Sequence, residues 1–372
     1  MDILVFGKRW EMGLLRFLLA IAVVIEHSSN FFGLTLTGGV VAVQGFFMIS
    51  GFYMAMILDR KYARGIRGTF LFYSNRLLRI FPIYWVVLLL AVLVSVAGVI
   101  WPQYFHSLGV LEKIVSGWSD FHPVTSLFIV VNNLFILGIG TGFFLALQHG
   151  VMEFSTHASS YTPRLFEFSF VPQAWSLELE LLVYCLAPFL FRRGMVILFG
   201  SVIAAFSLRY LAYINGLDSD PWNYRFLPFE FGLFLIGALV YRLYALLSVR
   251  EVGLVGWFLL VVMIGLTLVY PVLPKGAGFY RPFETAQTIY LLVLAISIPF
   301  VFIATRDCKI DRYIGELSYP IYLCHLIVVP MCSGDFGYYG FKPVVFSTAL
   351  AAGLAYLVGR PLERFRQRRI EA

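Results

Sequence analysis

Charge is what this chain has least of. Asp, Glu, Lys and Arg make up 13% of its 372 residues, against 60% hydrophobic ones. One soluble core cannot hide that much apolar surface, so a soluble globule is excluded and a bilayer is the solvent that fits. Cysteine is scarce too, with four in all. Cys185, Cys308 and Cys324 fall within helices or toward the inner side and only Cys332 lies near the outer surface. No disulfide framework follows, and they read as small apolar fillers. Internal repeats and low-complexity linkers are absent, which argues against a tethered soluble module. A phosphate-cradling glycine loop and a metal-ligand cluster are absent as well, so no nucleotide hydrolysis and no metal are expected. The expected organisation is a single membrane domain over residues 1–372 with no fused soluble domain.

Runs long enough to span a bilayer occur near residues 12–34, 39–58, 80–100, 124–147, 174–191, 194–214, 227–245, 253–272, 286–304, 317–332 and 341–359. The first run is too long and too interrupted by Arg16, Glu26 and His27 for a cleaved signal peptide. Basic residues gather in cytoplasmic loops. By that rule Lys8 and Arg9, the 59–79 segment, Arg192 and Arg193, Arg242 and Arg250, the 306–312 stretch and the 360–369 tail lie inside. Lys113, Arg164, Arg225, Lys275, Arg281 and Lys342 remain outside. The net charge of +7 is therefore a topology signal rather than a basic soluble face, and nucleic-acid binding is not expected.

Parity then forbids the 124–147 run from crossing once. Asn132, Asn133 and the Gly138, Gly140, Gly142 series suit a re-entrant or buried hairpin better than a lipid-facing helix. The expected fold is an all-α integral membrane protein of ten transmembrane helices, with that hairpin between the third and fourth and both termini cytoplasmic.

Within the first run, Arg16 and His27 are eleven residues apart. On a helix that spacing is three turns plus about 20°, so both side chains leave one face about 16 Å apart. An ionisable residue inside a span marks a functional site by default. Here two share one stripe, with Glu26 beside the histidine.

Five stretches in order resemble the membrane-bound acyltransferase family 3. They are the Arg16-to-His27 helix, Gln44–Phe52 (QGFFMISGF), Arg76-Leu-Leu-Arg79 before Phe81-Pro-Ile-Tyr-Trp85, Trp175–Glu180 (WSLELE) and Ser318–His325 (SYPIYLCH). The resemblance covers nearly the whole chain. Many members O-acetylate sugars of lipopolysaccharide, capsule, exopolysaccharide or glycolipids, and others modify peptidoglycan or antibiotics. The resemblance implies transfer of an acyl group, most simply acetyl, from cytoplasmic acyl-CoA (acetyl-CoA) to a hydroxyl of a cell-surface polysaccharide, lipopolysaccharide or glycolipid. Its partners would be that donor, that acceptor and membrane lipid. The expected location is a bacterial cytoplasmic (inner) membrane.

His27, near the outer end of its helix, suits a general base for the acceptor hydroxyl or a transient acyl carrier. Arg16 either snorkels to the inner headgroups or contacts the donor's anionic groups and the charge developing on its carbonyl. Arg76 and Arg79, one turn apart, offer forked donors to coenzyme A phosphates, although any inner loop attracts arginine. Ser176 and Glu180 share a helix face. Glu180 would orient His27, bond sugar hydroxyls or pair with an arginine, while Glu178 points elsewhere with a weaker claim on substrate. His325 matches the family's C-terminal histidine and serves either substrate or core. Asn132, Asn133, Trp175 and Tyr84 are expected to line the acceptor site. A different class, a proton-coupled transporter of a glycolipid or small molecule, would show the same composition and the same intramembrane Arg, His and Glu.

Overall fold

The computed structural model describes residues 12–28, 33–102, 108–246, 253–332 and 341–371. The expectations at Lys8, Arg9 and Arg250 lie outside them. The chain opens with α1 (Gly13–His27), α2 (Gly38–Arg60) and the long α3 (Ile66–Ile100). Two short helices, α4 (Val110–Gly117) and α5 (Pro123–Phe135), lead to an antiparallel hairpin of β1 (Leu145–Gln148) and β2 (Val151–Phe154). Short 3-10 turns then deliver the chain to α6 (Trp175–Leu190), α7 (Met195–Ile214), α8 (Leu227–Leu246) and α9 (Gly253–Val269). Last come α10 (Thr285–Thr305), α11 (Lys309–Met331), α12 (Phe341–Leu354) and, after a π-helical turn at Ala355–Gly359, α13 (Arg360–Glu371).

Among the described residues eight helices are long and apolar enough to cross a membrane. They are α2, α3, α7, α8, α9 with its 3-10 extension to Val272, α10, α11, and α12 continued through α13 to Ile370. With 15 and 16 residues, α1 and α6 fall below that length. The 124–147 run does not form one helix. Its first half is α5, which stops where Ile136 and Gly138 take positive φ of 68° and 104°, and its second half enters β1. The basic 59–79 segment is also not a loop throughout. Gly65, at φ 101°, turns the chain, and α3 begins at Ile66, so Arg76 and Arg79 stand on a helix one turn apart.

Burial sorts the helices. In α2, 78% of the apolar window is buried, against 17% in α7 and 28% in α9, whose Val196 and Leu254 are almost fully exposed. Large apolar side chains facing outward on peripheral helices are what a lipid environment accepts without cost. The bundle therefore has α2 as its axis. Small residues let its neighbours close in, because lipid supplies no hydrophobic drive between helices and close van der Waals packing must do so. A side chain at Gly51 of α2 would collide with the Phe234 backbone of α8, and one at Gly237 of α8 with the Met48 and Phe52 backbone.

A similar contact joins α1 to α11. Gly13 abuts the Asp311 backbone, and the Asp311 carboxylate accepts from the Gly13 N–H (2.6 Å) and the Leu14 N–H (2.8 Å). Helix N-termini leave such donors unpaired, so α11 caps α1 in trans and sets the height of Arg16 and His27. Replacing Asp311 by alanine removes both bonds and is expected to destabilise the protein by about 1–2 kcal/mol. A lowered thermal unfolding midpoint in detergent, restored in part by Asp311→Asn, would show it.

Candidate active site

Three cavities follow one another through the bundle. The outer one, about 370 Å³, opens at the end where α1 finishes and holds His27, Glu26, Gln173, Trp175, Tyr224 and Arg225. A middle one of about 90 Å³ holds Arg16, Ser50, Arg76, Arg79, Ser176 and Glu180. An inner one, also about 90 Å³, adds Glu316, Arg360, Glu363 and Arg366 from α11 and α13. Middle and inner cavities meet at Arg16, Arg79 and Tyr319. Outer and middle cavities meet at Val43 and Tyr322.

His27 is exposed to the outer cavity. Its Nδ1 lies 2.9 Å from the Val23 carbonyl. A carbonyl only accepts, so Nδ1 carries a hydrogen, and Nε2 is the nitrogen whose lone pair can face the cavity. His325 repeats the arrangement one layer in. Its Nδ1–H donates to the Tyr322 carbonyl at 2.7 Å, and its fully buried Nε2 has no hydrogen-bond partner. The two rings are 5.0 Å apart between centroids.

The wall opposite His27 is built around Arg225, which the sequence offered only as one of six outer cations. Its guanidinium lies 3.9 Å from the Phe143 ring centre, 4.5 Å from Trp175 and 4.4 Å from Tyr224, and Nε donates to Asp220 at 2.7 Å. Arg225 Nη1 is buried without a hydrogen-bond partner, and so is the amide oxygen of Gln173. Orphaned buried polar atoms are rare and mark where a polar ligand or water fits. Burial pushes the Tyr224 hydroxyl up to about 12 against the pull of Arg225, so it stays a neutral donor.

Tyr322 forms the neck. Its hydroxyl is 2.6 Å from Ser176 Oγ and donates to the Gln173 carbonyl at 2.7 Å. Below it, Glu180 Oε1 accepts from Tyr184 (2.6 Å) and Ser50 (3.3 Å). Arg76 lies 5.8 Å from the ring centres of both Phe72 and Tyr184, with a buried Nε that has no hydrogen-bond partner.

This geometry keeps Arg16, Arg76, Arg79, Ser176 and Glu180 together and corrects several expectations. Glu180 lines the cavity of arginines rather than that of His27, so it does not orient the histidine. Four residues down from Ser176, its helix has carried it a turn further into the bundle. Glu178 is a brace for the glycine turn. It accepts from the Gly140 N–H, the Thr141 N–H (3.3 Å) and the Thr141 hydroxyl (2.9 Å). Tyr84 is fully buried, donates to the Asn133 carbonyl at 2.6 Å, and so ties α3 to α5. Asn132 accepts from Asn133, which also bonds the 168–170 backbone. None of Tyr84, Asn132 and Asn133 lines the three cavities. Trp175 does line the outer one. Sequence reasoning missed Arg225, Gln173 and Tyr322. Only Arg225 left a signal, as a lone cation among aromatics in a segment otherwise poor in basic residues.

Comparison with known proteins adds a family likeness. Residues 9–360 match the model of a family described as an acyltransferase domain. An uncharacterised protein of Aquifex aeolicus (strain VF5) is 29% identical over 165 residues, 42% of this chain and 69% of that protein. No solved structure matches.

Proposed function

The chain belongs to acyltransferase family 3, and from that premise we propose that it carries an acetyl or other short acyl group from cytoplasmic acyl-CoA to a glycan or glycolipid hydroxyl on the far side of a bacterial inner membrane. That it is a membrane acyltransferase follows from the family and from eight apolar helices of spanning length. The observation that carries the finer reading is the order of the cavities. Five arginines gather in the inner and middle ones, a narrow neck follows, and the imidazole of His27, with its Nδ1 spent on Val23, lies beyond it. The transporter alternative has no comparable support.

In this reading α1 and α6 also cross, which makes ten spans with both termini cytoplasmic, and residues from the 142–173 stretch wall the outer cavity. Residues 1–372 act as one domain. Arg79, Arg360 and Arg366 receive the donor's phosphates. The fork of a guanidinium suits a phosphate better than an ammonium would. The thioester arm passes Arg16, Arg76 and Ser176 toward Tyr322. From the other side the acceptor enters between His27, Gln173 and Arg225. His27 Nε2 takes the proton of the hydroxyl as its oxygen attacks the thioester carbonyl. The tetrahedral intermediate then collapses, the C–S bond breaks, and the thiolate leaves with the proton returned by the imidazolium. His325, a neutral acceptor beside His27, steadies that imidazolium while it exists.

The test is transfer of label from radiolabelled acetyl-CoA into the glycan and glycolipid fraction of membranes carrying the protein. Label above an empty-membrane control is expected, and its absence with several acyl donors supplied would refute the reading. In the same assay Arg79→Met is expected to raise the donor KM by about 10–100-fold, the weight of one or two charge-assisted hydrogen bonds. An unchanged donor KM would remove Arg79 from the phosphate site.

A further inference from the structure

A fourth cavity, of about 730 Å³, lies at the same end of the bundle as His27. It meets the outer cavity at Glu26, Gly39 and Val40. The junction is kept open by the glycine pair that starts α2. Gly38 has φ 73°, and a side chain at Gly39 would come within 3.6 Å of the Glu26 side chain and 3.9 Å of the His27 ring. Any larger residue there would narrow the passage beside the base.

The lining identifies the class of ligand. Two cations, Lys275 and Arg281, face three acids, Glu26, Asp218 and Glu284, all five exposed. Among the described residues, Asp218, Lys275 and Arg281 carry no hydrogen bond or ion pair. A site for an anion would be lined by one sign of charge, and a site for an acyl chain would be apolar. Interspersed donors and acceptors suit a neutral molecule rich in hydroxyls, which can donate and accept at every position. Tyr213 and Tyr270 also line it, and aromatic side chains suit the C–H side of such a ring. An independent sign is Asn223, which lines the cavity and has a buried Oδ1 without a hydrogen-bond partner.

The floor is rigid. Gln287 donates to Gln44 (2.6 Å), Gln44 donates to Glu230 (3.2 Å), and Arg209 donates to the same Glu230 oxygen (2.9 Å). This buried chain pins α10, α2, α8 and α7 to one another beneath the cavity, and it gives a role to the glutamine of the Gln44–Phe52 motif.

We propose that this cavity is a second saccharide subsite, holding the neutral sugar unit next to the one that is acylated. The enzyme would then select a saccharide chain over a free monosaccharide. The proposal rests on the acyltransferase reading of the His27 cavity. Its test uses Asp218→Asn and Lys275→Met, both at exposed positions, with radiolabelled acetyl-CoA. The acceptors are the glycan fraction extracted from membranes and the same fraction hydrolysed to monosaccharides. The wild-type protein is expected to prefer the intact glycan. Each variant is expected to raise the KM for intact glycan about tenfold, the loss of one charge-assisted bond, with the change falling on KM and not on kcat. A wild-type protein that treats both acceptors alike would overturn the subsite. So would variants that melt at the wild-type temperature and keep the wild-type KM for intact glycan. No wild-type transfer to either acceptor would instead sink the glycan acyltransferase reading itself.

Discussion

Replacing His27 with alanine is expected to lower acyl transfer by about 10²–10⁴-fold, the usual contribution of a positioned general base, while the protein still assembles in the membrane. The side chain is exposed to the outer cavity, and its single hydrogen bond is to a carbonyl of its own helix. Its removal therefore leaves no buried group unpaired, and the loss falls on chemistry rather than on folding. His27→Gln is informative beside it, because an amide can still bond Val23 but cannot take up a proton. If glutamine restores the rate, the residue only positions the acceptor and the base lies elsewhere. The acyl-carrier alternative is distinguished by incubating protein with radiolabelled acetyl-CoA and no acceptor. Label retained on the wild-type chain and absent from His27→Ala would identify a covalent intermediate, whereas direct transfer leaves the chain unlabelled.

Gly51→Val is expected to abolish folded protein altogether. The added side chain would occupy the place of the Phe234 carbonyl on α8, and Gly237 shows the reciprocal closeness to α2. Overpacking usually costs about 1–3 kcal/mol when side chains can shift, but here the obstacle is backbone on both sides, and the axis of the bundle would have to be pushed apart. Loss of the monodisperse species on size exclusion in detergent would show it. Gly200→Val supplies the contrast, since nothing lies within 4 Å of a side chain placed there on peripheral α7. That variant should migrate and melt as the wild type does. If Gly51→Val also does, the α2–α8 contact is not what holds the core.

The difference between these two glycines shows where sequence reasoning reaches and where it stops. Hydropathy over whole helices reports the solvent, so the membrane class and most of the spanning helices were legible. Helical periodicity reports faces, so Arg16 and His27 on one stripe, and Ser176 with Glu180, were legible too. Periodicity says nothing about which neighbour a face meets or at what depth. Three roles were therefore open for Glu180, and it lies among the arginines rather than beside His27, while Glu178, Tyr84 and Asn132 were taken for substrate contacts when each spends its polar group on another segment's backbone or on a neighbouring side chain. Tyr322 was hidden for a related reason. In an apolar helix rich in aromatics, a tyrosine that closes a neck and one that fills a core look alike until the Ser176 and Gln173 partners are in view. The 124–147 run was expected from its asparagines and glycines to turn back rather than cross once, and it does not form one helix: α5 stops at Phe135 and the chain goes on into β1.

The neck at Val43 and Tyr322 has an electrical consequence. The two substrates, in the proposed orientation, come from opposite sides of the membrane, and Val43 and Tyr322 stand between their cavities. Wells entering from the two faces stop at a tyrosine whose hydroxyl is held by Ser176 and the Gln173 carbonyl. In the proposed orientation, the chemical group crosses while the ion gradient that energises the cell does not discharge through the enzyme that lets it pass.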